Sequence, residues 1–125
     1  MIQLKNKLLK IVALGLVIAT LASFNDKQLF DGGTISNPNM VIIANTRPPE
    51  ITATNASGCG GTITYQWQQS TDAVNFIDIV NATGASYQPG VIATMIHFRR
   101  KATCQGGVNA YTNNMATVVI APSPN

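Results

Sequence analysis

The sequence contains few charges, few aromatic residues and a single histidine. Of its 125 residues, 10% are charged and 6% are aromatic. Zinc sites need three or four His, Cys or carboxylate ligands, so the lone His97 and two cysteines predict no metal site. Asp72 follows a strand and is better explained as a turn-capping residue than as half of a catalytic pair with Asp78. These shortages favour a protein without catalytic activity and without a cofactor.

No hydrophobic run in the sequence is long enough for a stable membrane span, which needs about 20 apolar residues. The longest run, residues 11–22, is uncharged, follows three lysines and precedes small residues. That order is typical of a secretory signal peptide. We therefore expect a secreted or cell-surface protein. The predicted divisions are a signal-peptide helix at 1–22, a flexible leader at 23–31, a folded domain at 32–121 and a linker or tail at 122–125.

The excess of positive charge lies in the predicted signal peptide. The chain has eight basic and five acidic residues. Lys5, Lys7 and Lys10 belong to residues 1–22, so five basic and five acidic residues remain in the mature chain. The sequence pI of about 9.1 therefore comes from the targeting segment. Because nucleic-acid binding needs a basic patch on the folded domain, no nucleic-acid partner is predicted.

The strongest pattern in the chain is the alternation of apolar and polar residues through residues 62–72. Ile63, Tyr65 and Trp67 fall on one face of a strand, which is typical of a half-buried β-strand. Residues 94–104 form a second long strand, which contains Phe98. About seven short strands, among them segments at residues 34–36, at 50–56 and around Tyr87, are separated by turn signals, and no amphipathic helix pattern accompanies them. This arrangement predicts an all-β, immunoglobulin-like antiparallel β-sandwich. The expected core residues are Ile63, Tyr65, Trp67 and Phe98.

The two cysteines, Cys59 and Cys104, predict a disulfide, because an exported chain with an even number of cysteines favours pairing. If the Trp67 and Phe98 strands are antiparallel neighbours, the start of one lies beside the end of the other. The bridge would stabilise the fold by ~4 kcal/mol in the chain-entropy picture. The alternative is a pair of free, buried thiols.

One run of charge stands out, at residues 99–101. Strand alternation places Arg99 and Lys101 on one face and Arg100 on the other. Arg99 and Lys101 are a candidate contact patch for an acidic glycan or a partner domain, and the alternative is an ordinary solvated face. Arg100 is expected to extend along the edge of the sandwich and to pair with an acidic residue.

Several segments in order resemble a known family. They are YQWQQSTD, FIDI, NATGASYQPG and HFRRKAT, preceded by an opening segment that starts at GGTISNPN. Together they resemble the Ig-like/PKD-like repeat modules of Bacteroidota surface proteins such as adhesins, gliding-motility proteins and RHS-type proteins. The resemblance covers residues 32–121 and implies a secreted or cell-surface module. Ala73 stands where those modules usually have a turn glycine.

The sequence thus predicts an exported, non-enzymatic module for cell-surface adhesion or spacing, either complete or the N-terminal fragment of a larger surface protein. The alternative is a carbohydrate-binding module that uses exposed aromatic residues such as Tyr87 and Tyr111. The candidate partners are a surface glycan or other Ig-like modules.

Overall fold

A computed structural model describes residues 29–124 of the chain. The predicted signal peptide and most of the predicted leader lie outside these residues. Residues 29–124 contain strands, bridges and turns but no helix, which confirms the all-β class. Within this range there is consequently no helix that could cross a bilayer.

The sheet has six strands, one of which is central and pairs with three of the others. The strands are β1 (Asn39–Ile42), β2 (Ile63–Ser70), β3 (Ile77–Asp78), β4 (Ile96–Cys104), β5 (Asn109–Tyr111) and β6 (Ala116–Ile120). Their order across the sheet is β1-β6-β4-β2-β3, and β5 also pairs with β4. The two longest strands, β2 and β4, are antiparallel and in register from Ile63 opposite Cys104 to Ser70 opposite His97.

One edge of β4 pairs with β2, and its other edge pairs with two different strands. The first part of β4 pairs with β6, and its last part pairs with β5. Residues 112–115 connect these two strands, and the ladder is interrupted there, opposite Arg99 and Arg100. One backbone bond, from the Thr112 N–H to the Arg100 carbonyl at 3.0 Å, continues past β5. This interruption opens a cleft on the face of the sheet that carries Arg99.

The prediction of a purely antiparallel arrangement of about seven strands was wrong in two respects. First, β1 and β6 run parallel, with Asn39 opposite Thr117. Parallel neighbours need a long crossover connection, and here the crossover contains the other four strands. The resulting sheet is mixed.

Second, the segments expected to form strands at residues 34–36, at 50–56 and around Tyr87 make only isolated bridges. Those bridges are Asp31–Ser57, Ile35–Ala53, Ile51–Tyr87 and Thr46–Ile92. Beside the Thr46 and Ile51 bridges, Pro48 and Pro49 lack an N–H donor and Asn45 has a positive φ of 64°. Between the Asp31 and Ile35 bridges, Gly33 has a positive φ of 86°. The bridged segments pack against the sheet without forming regular strands of their own.

The core lies on the inner face of the sheet. Trp67 and Phe98 are 0% and 1% exposed, and the Tyr87 ring lies 6.0 Å from Trp67 and 5.7 Å from Phe98 between ring centroids. The bridged segments contribute Ile35 and Ile51 to the same cluster. Burying side chains of this size contributes about 1.5–3 kcal/mol each, so the aromatic residues of β2 and β4 support the fold.

Two of the expected core residues lie at the margin. Ile63 and Tyr65 are half-buried, because β2 begins beside the disulfide end of the sheet. The Tyr65 hydroxyl oxygen accepts a hydrogen bond from the Ala56 N–H at 3.0 Å. Tyr65 therefore joins the sheet to the bridged segments instead of filling the centre of the core.

The folded unit includes Asp31, which the sequence had placed in the leader. Its backbone exchanges two hydrogen bonds with Ser57, at 2.8 and 2.9 Å. Its carboxylate also accepts the Gly33 N–H at 2.7 Å. Asp31 is therefore part of the domain, whereas residues 122–124 carry no strand.

Candidate binding face

Arg99 is held on the outer face of the sheet by two aromatic rings. Its guanidinium carbon lies 4.1 Å from the ring centroid of Phe76 and 4.1 Å from that of Tyr111. Its Nε donates a hydrogen bond to Gln68 Oε1 at 2.7 Å. Phe76 precedes β3 and Tyr111 ends β5, so residues far apart in sequence hold one guanidinium in a single orientation.

Lys101, the second residue of the predicted patch, has an acidic partner. Its Nζ lies 3.9 Å from Asp78 Oδ1, and the Asp78 side chain is 56% exposed. Gln68 Nε2 donates to the same carboxylate oxygen at 2.7 Å. Exposed pairs of this kind contribute at most about 1 kcal/mol, but this one neutralises the charge of Lys101. Among residues 29–124, no carboxylate lies within 4 Å of Arg99.

Two clefts flank Tyr111, whose side chain is 41% exposed. The first has a volume of about 170 Å³ and is lined by Arg99, Phe76 and Tyr111 together with residues 73–74 and 112–115. The second, of about 430 Å³, is lined by residues 29–32 and 109–111 and by Asn113. Tyr111 is thus a wall shared by both clefts.

The turn at residues 70–75 shapes the first cleft from the side of β2. Asp72 accepts hydrogen bonds from the backbone N–H groups of Val74 and Asn75 at 2.9 and 2.8 Å. It also accepts the Asn75 amide at 2.8 Å and the Ser70 hydroxyl at 2.7 Å. These bonds, the Asn75 backbone first, hold the pKa of Asp72 well below its usual range. Asp72 is a turn-capping residue, as its position predicted.

Ala73 occupies the left-handed region in this turn, with φ 61°. This is the position where the resembling modules usually have glycine. An L-residue pays a steric cost there that glycine avoids. The four acceptor bonds of Asp72 offset that cost and keep the turn that leads to Phe76.

The connection between β5 and β6 is fastened to the opening segment of the domain by asparagine side chains. Asn113 Nδ2 donates to Asp31 Oδ1 at 3.2 Å and to Thr34 Oγ1 at 3.1 Å. Asn114 exchanges two bonds with the backbone of Ile35, at 2.7 and 3.0 Å. These hydrogen bonds position residues 112–115, which form one wall of the first cleft.

Arg100 points to the opposite face and is completely buried. Its guanidinium donates to the carbonyls of Ala85 at 2.6 Å and Gly32 at 3.0 Å, and also to the carbonyl of Thr54. It packs over the Tyr65 ring at 4.0 Å. Within residues 29–124, Nε has no partner. Burial lowers the pKa of Arg100, but an arginine keeps its charge in proteins.

The expected pairing of Arg100 with an acidic residue was wrong. Among residues 29–124 the guanidinium meets no carboxylate, because the inner face of β4 points at the backbone of the bridged segments. Gly33 makes room for this contact. A Cβ at Gly33 would lie 2.8 Å from Arg100 Nη2 and 2.3 Å from the Thr54 carbonyl oxygen, and the residue has φ +86°.

The other residues that the sequence singled out, the two cysteines and His97, make contacts that hold neighbouring parts of the fold together. Cys59 and Cys104 form a disulfide with a Cα–Cα distance of 5.7 Å. His97 Nδ1 lies 2.9 Å from Thr117 Oγ1 across β4 and β6. Within residues 29–124, no group of three or more His, Cys, Asp or Glu side chains is arranged to hold a metal ion.

Sequence reasoning missed the partners of Arg99. Phe76 lies in a loop and Tyr111 in a short strand, so neither belongs to the pattern that identified the charged run. The signal that could have found Tyr111 is the strand register, in which it stands opposite Lys101 and next to Arg99. That register depends on the length and geometry of the hairpin after Cys104, which local sequence pattern does not specify.

Comparison with known proteins identifies a family without an assigned role. Neither a curated protein nor a solved structure matches the chain. A family match covers residues 31–122, which contain both faces of β4, the whole lining of the first cleft and all of the second except Leu29 and Phe30. The chain therefore belongs to the family described as a domain of unknown function, DUF8696.

Proposed function

We propose that this protein is an exported, non-enzymatic module with an immunoglobulin-like β-sandwich fold that serves in cell-surface adhesion or spacing. The observation that carries the proposal is the disulfide between Cys59 and Cys104. Disulfides persist in oxidising compartments and are rare in the cytosol. The signal-peptide pattern at residues 1–22 and the resemblance to surface modules point in the same direction.

The sandwich part of the proposal is supported by the packing of the bridged segments. Ile35 and Ile51 come from these segments and share one core with Trp67 and Phe98. A sheet with one apolar face needs a second layer on that face. In this proposal the bridged segments are that second layer, shortened to single bridges.

The non-enzymatic part of the proposal is supported by the contacts of the side chains that could take part in catalysis. Asp72 caps a turn, Asp78 accepts from Gln68 beside Lys101, and His97 contacts Thr117. Each of these groups is engaged by neighbours that stabilise local structure. The exposed outer face, with Arg99 and Tyr111, is then the surface for a partner.

Fractionation of the native host tests the compartment. We expect the protein outside the cytoplasm, with an N-terminus near residue 23 by mass spectrometry and no titratable thiol in the unfolded, non-reduced chain. A variant with Lys5, Lys7 and Lys10 changed to Gln is expected to accumulate unprocessed, since the positive n-region is needed for export. A matched variant with Lys27 changed to Gln should be exported normally. Wild-type protein in the cytosol with two free thiols would contradict the proposal.

A carbohydrate-binding role is the second candidate, and the exposure of Tyr111 favours it. Tyr87, the other aromatic residue proposed for this role, is packed against Trp67 and Phe98. A sugar platform would therefore centre on Tyr111, between the two clefts. A glycan array with wild-type protein and the Tyr111→Ala variant tests this, and binding that is equal in the two would contradict it.

A further inference from the structure

We propose that the first cleft, which Arg99 and Tyr111 both line, binds a carboxylate, and that its ligand is an acidic glycan containing uronic-acid units. This inference rests on the proposed function, because an exported module is the kind that encounters such polysaccharides. It specifies the chemistry that the outer face recognises and assigns the main contact to Arg99.

The guanidinium of Arg99 retains unused donors. An arginine has five N–H groups, and the Nε–H is engaged by Gln68. Among residues 29–124, the terminal nitrogens have no hydrogen-bond or carboxylate partner. They are also not among the buried polar atoms that lack partners, so they reach solvent. Two terminal N–H groups of a guanidinium form the fork that binds a carboxylate through two parallel bonds.

The orientation of that fork is set before a ligand arrives. Phe76 and Tyr111 each lie 4.1 Å from the guanidinium carbon, and Gln68 binds Nε at 2.7 Å. A free surface arginine loses rotamer freedom on binding, which reduces affinity. In Arg99 the fold has already restricted this freedom, so a ligand gains more from each hydrogen bond.

Arg99 and Lys101 are the two cations on this face, and within residues 29–124 only Lys101 has an acidic partner. Lys101 has Asp78 at 3.9 Å. Asp72 is on the turn that lines the cleft, and its oxygens accept four hydrogen bonds within that turn. The asparagines on the opposite wall donate to the opening segment. Arg99 is therefore the cationic donor that the cleft presents to an anion.

The surroundings favour a sugar acid over an acidic peptide. Peptides commonly bind to sheets along a free strand edge or in a long groove. Here two compact clefts of about 170 and 430 Å³ meet at one exposed tyrosine. The flat apolar faces of a pyranose suit the Tyr111 ring. Asn113 Oδ1 and Asn109 Nδ2 beside it are not used by the bonds that the other atoms of these amides make within residues 29–124, and they can accept from and donate to hydroxyls. A uronic acid combines that ring with a carboxylate.

Titration of the whole oxidised chain with trigalacturonate tests the proposal by NMR. The Nε–H resonance of Arg99 is the direct readout. The comparison ligands are the methyl ester of trigalacturonate, which has the same rings without the charge, and triglutamate, which has the charge without the rings. The variants are Arg99→Gln and Arg99→Lys, with Arg47→Gln as a control that removes the same charge from an exposed position outside both clefts.

We expect trigalacturonate to shift the Arg99 resonance and to bind about tenfold to a hundredfold more weakly to Arg99→Gln, which is the range for lost charge-assisted hydrogen bonds. Arg99→Lys should weaken binding less, because charge remains without the planar fork. Arg47→Gln should bind as wild type does, and added salt should weaken all binding. A single cooperative thermal transition well above the titration temperature shows for each variant that the fold is intact.

Several results would overturn the proposal. Equal binding of the methyl ester would assign recognition to stacking alone, and equal or tighter binding of triglutamate would assign the cleft to an acidic peptide. Equal losses in Arg47→Gln and Arg99→Gln would reduce the effect to net charge, and Arg99→Lys binding as tightly as wild type would exclude the fork. Because purified protein is used, none of these results bears on the export of the protein, which fractionation decides separately.

Discussion

Arg99 and Arg100 are consecutive residues of one strand, and the fold uses them in opposite ways. Both guanidinium groups pack on aromatic rings, at 4.1 Å for Arg99 and 4.0 Å for Arg100. Arg100 is buried and directs its terminal nitrogens at backbone carbonyls of three different segments. The Arg99 guanidinium reaches solvent and makes its hydrogen bond to the protein through Nε alone. One arginine thus joins the sheet to the bridged segments, whereas its neighbour keeps terminal donors that a ligand can reach.

The comparison shows that charge in a sequence does not identify a binding residue. The two arginines differ in which groups accept hydrogen bonds from the terminal N–H groups of the guanidinium. A buried guanidinium needs acceptors because an unpaired buried charge is expensive, and the carbonyls of Gly32, Thr54 and Ala85 supply them. An outer guanidinium has water as its alternative partner, so its terminal donors need no acceptor from the protein.

The largest expected effect is that of removing the inner cation. We expect Arg100→Met to lower the free energy of unfolding by about 3 kcal/mol, because three carbonyls, that of Gly32 fully buried, lose a charged donor at about 1 kcal/mol each. Urea denaturation of the oxidised protein measures this. Arg99→Met is the matched control and should cost about 1 kcal/mol, from lost stacking on exposed rings. Equal losses in the two variants would remove the distinction between the two arginines.

Disturbing the space around Arg100 should have the next largest effect. In Gly33→Ala the new Cβ would meet both the Thr54 carbonyl and the Arg100 guanidinium, at a backbone φ of +86°. We expect a loss of about 2 kcal/mol from strain and displaced contacts. Gly90→Ala is the control, since nothing lies within 4 Å of a Cβ there, and it should change stability by less than about 0.5 kcal/mol. A similar result for both glycines would show that Arg100 does not need this space.

The contact between Arg99 and Phe76 on the outer face should show a smaller effect, measured as a coupling free energy between the two side chains. In a double-mutant cycle with Arg99→Met and Phe76→Leu, we expect an interaction free energy of about 0.5–1 kcal/mol, as for an exposed cation–π contact. The same cycle between Arg100→Met and Phe76→Leu should give a value near zero, because the two side chains lie on opposite faces. Coupling in the second cycle would mean that the faces of β4 are not independent.

The smallest effect expected concerns pH and is confined to the outer face. The pKa of Asp72 is lowered in the folded protein from its ordinary value of 3.8. Its contribution to stability is therefore fully present above that ordinary value, and it is lost as the pH falls further toward the lowered pKa. We expect the denaturation midpoint of wild type to fall below pH 4 more steeply than that of Asp72→Asn.

The control for this titration is Asp78→Asn, which removes a carboxylate of the same face while leaving the turn. It should retain the acid sensitivity that comes from Asp72. If Asp72→Asn kept the wild-type slope, the hydrogen bonds of the turn would not govern the acid response, and the turn that leads to Phe76 would be held by other contacts.

Local pattern predicted a large part of this fold. The alternation around Trp67 indicated β2 and the side of it that faces the core, because strand side chains alternate with a period of two. The same rule separated Arg99 and Lys101 from Arg100. It also located the cysteines at one end of an antiparallel pair, where the disulfide is formed. These predictions succeeded because each depends on a single strand or on two neighbouring ones.

Other features could not be predicted from local pattern. The parallel pairing of β1 with β6 joins segments at opposite ends of the domain, and nothing in either segment specifies direction. Phe76 and Tyr111 meet at Arg99 only because β2, β4 and β5 are in a definite register. The acceptors of Arg100 are backbone carbonyls, which every residue has, so no residue type marks them.

The sequence by itself determined the all-β class, the inward face of β2 and β4, and the alternation that sends two adjacent arginines to opposite faces. These follow from the steric rules of an extended chain and from the burial of apolar side chains. Only the tertiary structure decided that Arg100 would bind three carbonyls and that Arg99 would keep its terminal donors free. The reason is that hydrogen-bond partners and clefts depend on distances between remote segments, which are set by packing of the whole domain.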